Sequence, residues 1–225
     1  MVLLLKLLKV KARLILLCLI AMGVSVSLSA HTINYQLEKV PVTDVVWYYL
    51  KLGYKHILPD GFDHILFIAG LCLLSTRMSV LLWQATAFTV AHTITLILSM
   101  KGIIVIPPAI VEPIIALSTA FIAIENILLS ELKPWRVLVV FAFGLVHGMG
   151  FASALNELGL PRNAFYTSLL SFNVGVELGQ ITIISFVYFS LIYWFGHKTW
   201  YRTAIVYPIS VLIAIVALYW AYQRL

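Results

Sequence analysis

Six apolar runs dominate the chain, at residues 62–76, 80–100, 110–130, 137–156, 165–195 and 204–222. A stretch of about 20 apolar residues is what an α-helix needs to cross the hydrocarbon of a bilayer. Lipid offers no water to backbone N–H and C=O groups, so a spanning segment must satisfy them internally. These runs therefore predict an all-α fold, a polytopic membrane helix bundle of about six transmembrane helices. Composition agrees: 62% of residues are hydrophobic and 11% charged, where a soluble domain carries roughly 25% charged residues. That balance excludes a soluble globular protein, and so much apolar surface also excludes disorder. The first run is short for a full span and opens on Asp63-His64. The fifth is long enough to tilt or to include an interfacial turn.

Ahead of these runs, residues 1–30 read as a secretory signal peptide. Lys6, Lys9, Lys11 and Arg13 form a basic start, Leu14 to Val26 an apolar stretch, and Ser27-Leu28-Ser29-Ala30 a small-residue cleavage site. The alternative is an uncleaved first helix; either way residue 31 falls outside the cytoplasm. The formal net charge of +6 drops to +2 when this segment is removed, so the basic character is mostly a targeting signal and implies no nucleic acid partner. Cys72 is then the one cysteine left. It can form neither an internal disulfide nor a thiolate cluster.

Three parts follow: 1–30, a short external segment at 31–60, and the bundle at 61–225. Within 31–60, VTDVVWYYLKLGYKHIL has helical apolar spacing with Lys51 and Lys55 on another side, which predicts a helix lying at the outer interface. With residue 31 outside, cytoplasmic connections carry Arg77, Lys133, Arg136, Lys198 and Arg202, and external interhelical loops carry Lys101 and Arg162. That asymmetry follows the positive-inside rule, and Trp83, Trp135, Trp194 and Trp200 sit where a cytoplasmic aromatic belt belongs. The expected location is the inner (plasma) membrane, with the mature N-terminus and the C-terminus outside the cytoplasm.

Ionisable groups inside a bilayer cost several kcal/mol on insertion scales and need a partner or a purpose. Asp63, His64, His92, Glu112, Glu125, His147 and Glu177 all lie in or at the ends of the apolar runs, with Ser118, Asn126, Asn173 and Gln180 as neutral polar companions. Asn173, Glu177 and Gln180 share one face of the fifth run, and Ser118 and Glu125 one face of the third. Gly144, Gly148 and Gly150 flank His147, where they permit close helix approach or a local departure from helix. By depth, Asp63, His64 and Glu112 begin spans from the outside. His92, His147, Asn173 and Glu177 lie near mid-membrane or in the outer half, and Glu125 and Asn126 nearer the cytoplasm. Imidazole and carboxylate without thiolate suit a borderline divalent ion such as Ni²⁺ or Zn²⁺. The candidate metal ligands are Asp63, His64, His92, His147 and Glu177; Glu112, Ser118, Glu125, Asn126, Asn173 and Gln180 form a transport path or supporting shell. His31, His56 and His197 are expected at interfaces or in loops, although His56 lies only eight residues before His64.

The stretches GFDHILFIAGLCLL (61–74), TAFTVAHTITL (86–96), VEPIIALSTAFIAIEN (111–126), FGLVHGMGFASAL (143–155) and FNVGVELGQ (172–180) together resemble the HupE/UreJ family of hydrogenase/urease accessory membrane proteins. The likeness is closest to the branch with an Asp-His pair at the start of the first core span, approached here as KHILPDGFDH. The resemblance implies a membrane protein associated with metal handling, nickel permeation above all, with metalloenzyme maturation proteins as partners. By position it carries the family's motif residues onto Asp63, His64, His92, Glu112, Glu125, Asn126, His147, Asn173 and Glu177.

Three functions are compatible with these residues. The first is a divalent-metal permease. The second is an intramembrane zinc hydrolase, with three His ligands and an open water position, although neither HExxH nor a nucleophile motif is present. The third is a non-catalytic accessory subunit whose polar core fixes helix packing.

Overall fold

The computed structural model describes residue 34 and residues 36–225. The expected signal peptide at 1–30 and His31 lie outside the described residues. Among the described residues, seven longer helices carry the fold: α1 (Val42–Ile57), α2 (Phe62–Leu73), α3 (Met78–Met100), α4 (Pro108–Leu128), α5 (Arg136–Leu158), α6 (Phe165–Val187) and α7 (Tyr207–Gln223). No strand occurs among the described residues. A π-helical turn at Tyr188–Ile192 carries α6 onward to Phe195, and another at Arg202–Val206 leads into α7. Local chemistry sets several ends. Pro108 opens α4 at its first helical position, where its missing N–H costs nothing. Gly159, at φ 74°, follows the last turn of α5 in a conformation that side chains resist.

Among the described residues, five helical segments are long and apolar enough to cross a membrane, and α1 with α2, bent by 68° at a short break, pass the same test only as a pair. A helix of 23 residues such as α3 is about 34 Å long, enough for a hydrocarbon core of about 30 Å. The outward surfaces are apolar as well: Val90, Ile94, Leu117, Phe121, Leu170 and Val174 are all exposed. In water such a surface would be a liability; against lipid it is the expected exterior. One end of the bundle gathers the 101–107 and 159–164 connections. The opposite end gathers 74–77, 129–135 and 196–201.

Helix α1 differs from expectation. Instead of lying across an interface, it runs lengthwise against α6. A Cβ on Gly53 would collide with the Phe172 carbonyl, one on Gly175 with the Leu50 carbonyl, and one on Gly179 with Ile57. Tyr49 Oη donates to the Gly159 carbonyl at 2.7 Å. The buried positions Val45, Tyr49, Gly53 and Ile57 form one helical stripe. Such a stripe serves a membrane surface or a neighbouring helix equally well, and only the facing glycines of α6 decide for the helix. The expected boundary at residue 60 falls in the short break between α1 and α2.

The glycines around His147 likewise resolve toward close approach. Gly144 lies under the Phe88 carbonyl and Gly148 under the His92 carbonyl, and α5 stays helical through both. Helices α3 and α5 are thereby pressed together along the segment that carries their histidines.

Candidate functional site

Four helices deliver four imidazoles to one place. His56 comes from the last turn of α1, His64 from the first turn of α2, His92 from α3 and His147 from α5. Ring centroids lie 4.8 Å apart for His56 and His64, 4.9 Å for His64 and His147, and 6.3 Å for His56 and His92. The bend between α1 and α2 makes this possible, because it brings a helix C-terminus and a helix N-terminus to the same depth. Broken spans of this type are where membrane transporters build binding sites.

Hydrogen bonds assign the proton positions. Asn173 Nδ2 donates to the Leu169 carbonyl at 2.8 Å, so its Oδ1 faces His92 Nδ1 at 3.0 Å as an acceptor. His92 Nδ1 therefore carries the proton, and Nε2 presents a bare lone pair. That Nε2 is buried and has no hydrogen-bond partner, and neither has His56 Nε2. Fixing one ring nitrogen through an outer hydrogen bond so that the other is free is how metal-ligating histidines are prepared. His147 is committed differently. Its Nδ1 lies 3.3 Å from His64 Nε2, and its Nε2 lies 3.1 Å from Ser118 Oγ, which itself donates to the Ile115 carbonyl at 2.7 Å. A consistent assignment has His64 Nε2–H donating to His147, and His147 Nε2–H donating to Ser118.

Aromatic rings bound the cluster on two sides. Phe151 stands 3.9 Å from the His56 ring and stacks on Phe172 at 4.8 Å. Toward the Arg77 end, Phe67, Phe88 and Phe143 each lie one helical turn from His64, His92 and His147 respectively. Phe67 contacts both other phenyl rings, at 5.3 and 6.1 Å, and Phe67 and Phe88 touch His147. A histidine layer thus rests on a phenylalanine layer. From the opposite end the cluster is open through a cavity of about 290 Å³ lined by His56, His64 and His147 and by Asp60, Asp63, Glu112 and Arg224.

A second polar centre lies beyond the phenylalanines. Glu125 Oε2 pairs with Arg136 Nε at 3.3 Å, both side chains buried. Arg136 Nη2 donates to Asn126 Oδ1 at 3.1 Å, and Asn126 Nδ2 donates to the Gly70 carbonyl at 2.8 Å. Arg202 adds its guanidinium to the last carbonyls of α4, those of Asn126, Ile127 and Leu129. A cation at a helix C-terminus satisfies the orphan carbonyls and complements the helix dipole. Two basic residues assigned to cytoplasmic loops from sequence, Arg136 and Arg202, are therefore structural parts of the bundle.

The residues singled out from sequence thus fall into separate groups. Asp63, Glu112, His64 and His147 line the cavity, His92 is buried behind it beside His56, and Ser118 and Asn173 stand behind the histidines. Glu125 and Asn126 belong to the second centre. Glu177 and Gln180 lie on the seam between α3 and α6: Glu177 Oε1 accepts from Thr86 Oγ1 at 2.7 Å and Gln180 Oε1 from Thr89 Oγ1 at 3.4 Å. Sequence spacing placed His56 at an interface, yet it is the fourth imidazole of the cluster. The signal for it was its position eight residues before His64, readable only once the chain is known to fold back between them. Among the described residues, no three His, Cys, Asp or Glu side chains are set to close on one ion as they stand. His64 meets His56 and His147 edge to face, and His56 and His92 are tilted against each other.

A bundle of apolar helices enclosing imidazoles and carboxylates, reached through an acidic mouth, defines a polytopic membrane protein with a buried polar centre. The chain matches the family model described as HupE / UreJ protein over residues 32–224. It belongs to that family. No curated protein and no solved structure shows significant similarity to the chain.

Proposed function

We propose that this protein is a permease for a divalent transition-metal ion, nickel or a similar borderline ion, taken from the side onto which the acidic mouth opens. The observation that carries the reading is the pair of buried, unpartnered imidazole nitrogens, His56 Nε2 and His92 Nε2, the second with its tautomer fixed by Asn173. Neutral imidazoles replace part of an ion's hydration shell without adding charge. Asp63 and Glu112 at the mouth attract the cation. The arrangement is open rather than pre-closed around an ion, which suits cargo that must leave again. With the mouth outside, as the charge asymmetry of the loops predicts, the membrane potential drives the ion inward by about 2.3 kcal/mol per charge per 100 mV.

Inward passage requires the phenylalanine layer to part and Glu125 to exchange Arg136 for the ion. A hydrolytic role gains less support. A catalytic zinc site holds its ion on three fixed ligands, and no three such side chains are set on one point among the described residues. The test is uptake of Ni²⁺, Co²⁺ and Zn²⁺ into proteoliposomes by the wild type and by His56→Ala and His92→Ala. Both variants are expected to fold and to lose most uptake; uptake equal to wild type in both sinks the reading.

A further inference from the structure

The cavity mouth already holds a cation belonging to the protein. Arg224 lies just past the last turn of α7 and reaches into the cavity that also exposes His64 and His147. Its Nη2 donates to Asp63 Oδ2 at 3.0 Å, with each side chain about a quarter exposed. The other carboxylate oxygen, Asp63 Oδ1, is buried and has no partner. The guanidinium carbon also stands 5.7 Å from the Trp220 ring centroid. Glu112 lines the same cavity, is exposed, and makes no ion pair among the described residues.

We infer that Arg224 is a specificity-determining residue, a tethered monovalent cation that occupies Asp63 until a divalent ion displaces it. This assignment rests on the permease reading, in which Asp63 is the first carboxylate an incoming ion meets. Coulomb attraction scales with the product of charges, so a divalent ion gains about twice the attraction to Asp63 that a monovalent one does. A free monovalent ion has no such advantage over the guanidinium and must also compete with a group held at high effective concentration by its tether. The mouth therefore discriminates by valence. When a divalent ion takes Asp63, the released guanidinium has Glu112 as its next acceptor. In the empty state the pair keeps Asp63 from standing as an unpaired carboxylate in a partly desolvated cleft.

The experiment measures Ni²⁺ and Zn²⁺ uptake into proteoliposomes by wild type, R224Q, R224A and R224K, with NaCl as competitor and choline chloride as the ionic-strength control. R224Q and R224A are expected to lower KM for the divalent ion about fivefold, the upper end for a partly exposed pair. Both should also become inhibitable by sodium beyond the choline control, and free guanidinium should restore the wild-type KM. R224K should keep wild-type behaviour. An unchanged or raised KM in both neutral variants, with wild type active, overturns the assignment and leaves the permease reading standing. A wild type inactive toward every divalent ion tested overturns both.

Discussion

Asn173 shows how much one side chain decides. Its amide is oriented by the Leu169 carbonyl, and that orientation alone makes His92 Nε2 a free lone pair. Asn173→Ala removes the acceptor, and outer hydrogen bonds of this type are typically worth about 10–100-fold in metal affinity. We expect that loss in equilibrium metal binding to purified protein, with Asn173→Asp retaining more affinity than Asn173→Ala because a carboxylate still accepts from Nδ1. Equal binding by wild type and Asn173→Ala would mean that His92 is not a ligand. The histidines themselves, apart from His56, were legible from cost alone, since an ionisable group in an apolar run needs an explanation. The division of labour among them was not. Whether a histidine is bare or committed depends on which atom faces it across a helix interface, and spacing along one chain does not encode that.

Helix pairs show two different ways of filling an interface. Along α1 and α6, backbone meets backbone at Gly53 and Gly175, and Gly179 makes room for the Ile57 side chain, the small-residue packing that membrane helices use in place of a hydrophobic driving force. Gly175→Val puts branched atoms into the Leu50 carbonyl. Overpacking of this sort costs about 1–3 kcal/mol or more, and a lowered thermal midpoint in detergent is expected, together with loss of metal binding as His56 is carried away with α1. Between α4 and α5 the contact at one end is instead a buried ion pair, Glu125 with Arg136. Removing one partner of a buried pair costs about 3–5 kcal/mol, whereas replacing both by apolar groups is often neutral. Arg136→Met is therefore expected to destabilise strongly, and Glu125→Leu combined with Arg136→Met to recover most of the stability without recovering transport. A double variant as unstable as the single one would show that Arg136 acts through Asn126 rather than Glu125.

At the scale of the whole molecule, two polar centres sit at different depths with phenylalanines between them. From Ser118 beside His147 to Glu125 is seven residues of α4, about 10 Å along the axis. The mouth opens toward one end and the buried ion-paired centre lies nearer the other, and the positive-inside asymmetry predicts which end faces the cytoplasm. In a background with Cys18 and Cys72 replaced by Ala, Lys101→Cys should react with an impermeant maleimide on intact cells and Glu131→Cys only after permeabilisation. The reverse pattern would turn the proposed direction of transport around. Sequence by itself determined the class of fold, because apolar runs of bilayer length leave helices as the solution. It also determined the set of costly polar residues, because their burial needs no geometry to be recognised. Tertiary structure decided the rest. It packed an amphipathic helix lengthwise against α6, brought His56 beside His64, moved Glu177 to a seam with Thr86, and set Arg224 on Asp63. The physical reason is the same in each case: periodicity fixes which face a residue occupies, whereas its chemistry depends on the partner that face meets.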